Sequence, residues 1–112
     1  MSEKRLIDPQ SAVDYMVTTA PQYAKAKSER IYLEEYRKSK KAILMQNHST
    51  ESIGAQEREA YAHPEYIGLL GALRTAVEAE ETLRWKLIAA QARVEVWRST
   101  EASARMQDKV TA

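Results

Sequence analysis

The stretch that decides the fold runs from Pro64 to Trp97, PEYIGLLGALRTAVEAEETLRWKLIAAQARVEVW. Within it Tyr66, Leu69, Leu73, Ala76, Leu83, Leu87, Ala90, Val94 and Trp97 fall in alternating steps of three and four, interrupted only by Glu80 at a seam position. An a/d repeat of this kind holds one narrow apolar edge along a helix and needs a partner to cover it. Pro64 suits the first turn, where a backbone N–H has no helical acceptor anyway. The spacing predicts a long heptad helix over about 64–109.

Upstream, the polar cluster Asn47-His48-Ser49-Thr50 and Gly54 mark residues 47–63 as a loop, with one turn of helix around Ala55–Tyr61. Before the loop, Pro21 reads as the end of one helix and the start of the next, giving a basic helix over about 21–46. Asp8-Pro9 reads as an N-cap and first-turn proline opening a short helix over about 8–20, in which Val13, Met16, Val17 and Ala20 share a face. The chain has no phenylalanine, no alternating β-branched run and no Asn-Gly or Asp-Gly turn, so a sheet is not expected. The reading is all-α: one domain over 1–112, an antiparallel hairpin of two long helices with a short N-terminal helix packed on one end. A two-helix hairpin leaves apolar surface uncovered, so assembly as a homo-oligomer is expected.

At 112 residues the core is adequate but not generous. Without cysteine there is no disulfide and no thiolate metal site, which fits a reducing compartment. The opening MSEKRLIDPQ is charged where a signal peptide is apolar, and no window approaches the roughly 20 apolar residues of a membrane span. The expectation is a soluble, cytoplasmic protein without a membrane partner.

The net charge of +1 hides an uneven distribution. Residues 25–41 are rich in lysine and arginine, whereas 51–81 are predominantly acidic. On a helix of about 100° per residue, Lys27, Arg30, Arg37, Lys38 and Lys41 fall within one arc, with Lys40 nearby, and Tyr32, Leu33, Tyr36, Ile43 and Leu44 lie opposite. A stripe like this is either a solvated face or a surface that neutralises phosphates and releases counterions. Tyr23, Tyr32 and Tyr36 lie close enough to offer base stacking, although burial is the preferred reading for the latter two. Glu34 sits inside the stripe, at helical spacing for pairing with Arg30, Arg37 or Lys38.

Trp85 lies off the seam with Ala89, Ala92 and Val96, nearly opposite Leu83 and Leu87. A helix apolar on two sides is covered on two sides, so Leu73, Leu83, Trp85, Leu87, Val94, Val96 and Trp97 are the candidate oligomer or partner interface. Gly68 and Gly71 each cost about 1 kcal/mol inside a helix, which a closely crossing helix would offset. Glu80 can fix register or pair with a cation across the interface. His48 and His63 are the only histidines; no metal-ligand spacing exists, and His63 before Pro64 reads as a helix-start residue. No Ser/His/Asp set, phosphate-binding glycine loop or dinucleotide fingerprint is present, so neither catalysis nor a cofactor is expected.

The lysine-rich helix with its Lys40-Lys41 pair followed by Ala42-Ile43-Leu44-Met45, the polar loop containing tyrosine, and the long C-terminal helix starting with an aromatic and leucines resemble the UvsY-like family of T4-type phage recombination mediators. The likeness is one of layout over residues 21–105, and Trp85 and Trp97 have no counterpart in it. It implies oligomeric helical subunits that bind single-stranded DNA and work with a RecA-like recombinase and single-strand-binding protein. Lys27, Arg30, Arg37, Lys38, Lys40 and Lys41 are then the candidate nucleic-acid contacts. The alternative expectation is a coiled-coil adaptor, or a phage-encoded inhibitor of a host protein, anchored by the Trp85–Val96 face.

Overall fold

The computed structural model describes residues 7–111. Three helices follow one another: α1, Pro9–Gln46; α2, Ile53–Ala62; and α3, Pro64–Thr111. The all-α expectation of two long helices and a short one holds, and the described residues include no strand. The short helix, however, lies between the long ones. The expected break at Pro21 is absent, and α1 passes through it without interruption, joining the two segments expected over 8–20 and 21–46.

Local chemistry explains the ends. The Ser11 and Gln10 backbone N–H groups donate to Asp8 Oδ1 at 3.3 and 3.0 Å, and the Ser11 hydroxyl donates to Oδ2 at 2.7 Å, so Asp8 caps α1. These hydrogen bonds hold the Asp8 carboxyl below its usual pKa. Ser52 caps α2 by accepting from the Ala55 N–H at 3.3 Å. At the junction with α3, His63 is extended, its N–H still reaches the Ala60 carbonyl, and its Nδ1 accepts the Glu65 N–H at 3.0 Å. Pro64, lacking an N–H, cannot continue α2, so the chain turns there and restarts as α3.

The chain divides into two compact units, and the division falls within both long helices. In the unit formed by Ala24–Glu81, the second half of α1 packs against α2 and the first half of α3. Arg30 meets Glu80 while Lys40 meets Glu65, so α1 and α3 run antiparallel here. Leu44, Ala60 and Tyr66, one from each helix, form the core with Met45 against them. Ala60 is only 1% exposed, and its methyl group lets α2 come close.

The other unit combines the residues up to Tyr23 with those from Thr82 onward. Ala12, Thr19 and Ala90 are buried, and Met16, Tyr23, Leu83, Leu87 and Val94 are half-buried. The expected Val13/Val17 face is not the packed one. Val13 and Val17 are 39% and 69% exposed, and the covered edge lies one residue round, on Ala12, Met16 and Thr19.

Along α3 the covered residues include the expected seam as far as Val94, with Tyr66, Leu69, Leu73, Ala76 and Glu80 in one unit and Leu83, Leu87, Ala90 and Val94 in the other. Trp97, expected to close the seam, is instead exposed. The covered edge of α1 also advances in steps of four and three, through Ala12, Met16, Thr19 and Tyr23, and then Ala26, Arg30, Leu33, Arg37, Lys40 and Leu44. Three of these positions are cationic, so part of the expected outward stripe belongs to the edge facing α3. A Cβ at Gly68 or Gly71 would meet nothing within 4 Å. The close crossing expected there is not made by the described residues.

Candidate nucleic-acid interface

The six candidate cations separate into distinct environments. Arg30 grips Glu80 through both prongs of its guanidinium, Nε to Oε2 at 2.6 Å and Nη2 to Oε1 at 2.9 Å, and its Nη1 reaches Glu34 Oε2 at 3.1 Å. A bidentate fork of this kind is the strong form of the arginine–carboxylate contact. The Glu80 side chain is 7% exposed, so the fork satisfies an acid that interrupts the apolar seam. Hydrogen bonding to Glu80 raises the Arg30 pKa further above its already high value. Lys40 is drawn to Glu65, Nζ to Oε2 at 2.6 Å; this contact raises the Lys40 pKa and lowers that of Glu65. Both cations are committed to holding α1 against α3.

Lys27 lies exposed, three residues before Arg30 on α1. The remaining three, Arg37, Lys38 and Lys41, come together with Ala42, Met45, Tyr61 and Tyr66 around an open groove of about 630 Å³. Successive turns of α1 supply the cations, α2 supplies Tyr61, and the start of α3 supplies Tyr66. Lys41 Nζ stands 4.7 Å from the Tyr61 ring centroid and 3.4 Å from Glu57 Oε1. Hydrogen bonding to the Tyr61 oxygen, followed by the Glu57 charge, raises the Lys41 pKa. Lys38 makes only a loose, exposed pair with Glu35 at 3.3 Å, which contributes little. Arg37 is half-buried, and no carboxylate among the described residues forms an ion pair with it.

Tyr61 is the residue that sequence reasoning missed. Its ring packs edge-on to Tyr66, centroids 5.3 Å apart, and 47% of the residue is exposed. The buried Tyr66 thus fixes an exposed aromatic plane beside three cations. Of the tyrosines proposed from sequence, Tyr32 and Tyr36 stack on each other at 5.8 Å on the α1 surface, outside the groove.

A larger groove of about 710 Å³, in the other unit, is lined by residues including Tyr15, Lys86 and Arg93, but it also presents Asp8. Hydrogen bonding keeps that carboxylate ionised, and it opposes an anion.

The candidate interface residues also separate. Leu73, Leu83, Leu87 and Val94 are half-buried on the seam. Trp85, Val96 and Trp97 are exposed by 58%, 53% and 37%, with the Arg84 guanidinium 4.8 Å from the Trp85 ring centroid. No group of three His, Asp or Glu among the described residues is placed to hold a metal, and no described helix is long and apolar enough to cross a membrane. Comparison with protein-family models, curated proteins and solved structures returned no match.

Proposed function

We propose that this chain binds single-stranded nucleic acid, DNA in the first instance, in the groove formed by Arg37, Lys38, Lys41 and Tyr61. The observation that carries the reading is the exposed Tyr61 ring, held by Tyr66 beside three cations, one of which, Arg37, pairs with no carboxylate among the described residues. Cations beside an aromatic plane suit a flexible strand: phosphates take the charges and an unpaired base takes the ring. Lys38 and Lys41 share their charge with Glu35 and Glu57, so one groove is a modest binder. Several copies on one strand add by avidity. The role is non-enzymatic. Its place in phage recombination or replication, beside a RecA-like recombinase or single-strand-binding protein, draws support from the UvsY-like layout alone.

The test is fluorescence anisotropy with labelled oligo-dT over a salt series. Arg37→Ala with Lys38→Ala should weaken binding at least about tenfold and flatten the slope of log affinity against log salt by about 0.7 for each phosphate contact removed. Tyr61→Ala should weaken binding with the salt slope unchanged, whereas Tyr61→Phe should retain it. Wild-type affinity in the groove variants, with helicity intact, would overturn the proposal.

A further inference from the structure

Every residue from Glu95 to Thr111 is exposed, and no described segment packs against this stretch of α3. In proteins most helical stability comes from packing of an apolar face, and the described residues supply this stretch with none. The seam edge does not explain what covers it: beyond Trp97 that edge continues through Glu101, Ala104 and Asp108 and loses its apolar character. The opposite face keeps large apolar side chains to its end, with small serines at positions 99 and 103. Trp85, Ala89, Ala92, Val96, Ser99, Ser103, Met106 and Val110 advance by four and three without interruption, all on the side of α3 turned away from Leu83, Leu87 and Ala90. Its large members are open to solvent, Met106 by 65% and Val110 by 82%.

We infer that this face is a self-association surface, on which a second copy of the chain lays the same face of its own α3 in antiparallel orientation. Size matching selects the orientation. With Trp85 opposite Val110 of the second copy, Ala89 faces Met106, Ala92 faces Ser103 and Val96 faces Ser99, so bulky side chains fall opposite smaller ones through most layers. Parallel pairing would instead set Trp85 on Trp85 and Met106 on Met106, holding the helices apart at the intervening alanine and serine layers.

Area selects the register. The pairing from Trp85 to Val110 spans about 38 Å of helix and covers the tryptophan in both copies. A shift of one heptad brings Glu95 opposite Lys109 but leaves Trp85 bare. An exposed ion pair contributes at most about 1 kcal/mol, whereas covering a mostly exposed tryptophan removes a far larger apolar area from water. The longer overlap also brings the contact nearer the roughly 1,000 Å² that a specific interface needs. No like charges meet along its flanks: Arg93 comes opposite Thr100, Lys86 opposite Gln107, and Glu95, loosely paired with Arg98 at 3.6 Å, opposite Ala102. The inference does not rest on the groove, whose residues all belong to the other unit.

The chain has no cysteine, so introduced thiols report the pairing alone. Full-length Ala92→Cys and Ser103→Cys chains are mixed, oxidised gently and analysed by mass. The expected product is the mixed disulfide, with little of either self-linked species. Self-linked products from each chain alone would mean parallel pairing and would overturn the inference; so would linkage of Ser99→Cys to Ser103→Cys in preference, which marks the shifted register. Light scattering on the unmodified protein should give twice the chain mass at micromolar concentration, and Met106→Glu, at an exposed position, should return it to one chain mass with a loss of ellipticity at 222 nm no greater than fraying of residues 95–111 accounts for. A single-chain mass for the unmodified protein at tens of micromolar overturns the surface altogether.

Discussion

Replacing Pro21 with alanine should stabilise this protein, and the structure sets the size of the gain. Pro21 lies well inside α1 and cannot donate to the Val17 carbonyl four residues back. On intrinsic scales an interior proline costs about 3 kcal/mol relative to alanine. Two effects reduce the return. Val17 is 69% exposed, so water already reaches the orphaned carbonyl and relieves part of the penalty. Alanine also gives the unfolded chain freedom that proline withheld, about 0.4–1 kcal/mol. The pyrrolidine ring is itself exposed, so little burial is lost. The net expectation is about 2 kcal/mol, and at about 4–8 °C per kcal/mol for a domain near this size the midpoint should rise by about 10 °C. Thermal and urea melts followed at 222 nm, at matched chain concentration, read this directly. An unchanged or lowered midpoint would refute the reasoning and show that the chain breaks at Pro21, as its sequence spacing suggests.

The remaining predictions concern the ion pairs that join α1 to α3. Glu80→Ala should lower the melting midpoint, because it removes the bidentate partner of Arg30 on a packed edge and leaves the guanidinium only its contact with Glu34; Glu80→Leu combined with Arg30→Leu should recover most of the loss, since the seam around position 80 is otherwise apolar. A double variant as unstable as the single one would refute the assignment of the pair to the seam. The Lys40–Glu65 contact should appear as a pH dependence. The pKa of Glu65 is lowered by folding, so its contribution is complete above the ordinary carboxylate value and disappears as pH falls through the depressed one; Lys40 is raised, so its share is lost only as pH climbs past the elevated lysine value. Glu65→Gln should therefore flatten the acid limb of a stability–pH curve, and an unaltered limb would show that other carboxylates set it.

The α3 edge was legible because its residues are those a periodicity argument looks for: Leu69, Leu73, Leu83, Leu87 and Val94 announce themselves as apolar. The α1 edge follows the same period but is occupied by Thr19, Arg30, Arg37 and Lys40. A pattern built on apolar residues therefore settled on Val13 and Val17, one residue away, and read the arginines as facing outward. The meaning of Arg30 resides in Glu80, 50 residues along the chain, and no local spacing encodes that separation. Glu80 itself was visible as the exception in the α3 seam, and pairing with a cation was among its expected roles. Pro21 carried the ordinary signal of a helix boundary, which packing on both sides of it, at Met16, Thr19, Tyr23 and Ala26, overrides. The helical arc placed Arg37, Lys38 and Lys41 on one side of α1, and the structure brings these three together at the groove. Tyr61 was not legible in this way, because only the folding of α2 against α1 brings it to Lys41.

The claim on which the functional account depends is that a strand lies against Tyr61. Irradiation of the full chain bound to an oligonucleotide carrying 5-iododeoxyuridine, followed by digestion and mass spectrometry, locates the aromatic residue nearest a base. Adducts concentrated on Tyr61, and absent when Arg37 and Lys38 are replaced by alanine, are the predicted result. Adducts on Tyr32 or Tyr36 instead, with Tyr61 unmodified, would place the strand on the opposite side of α1 and contradict the account.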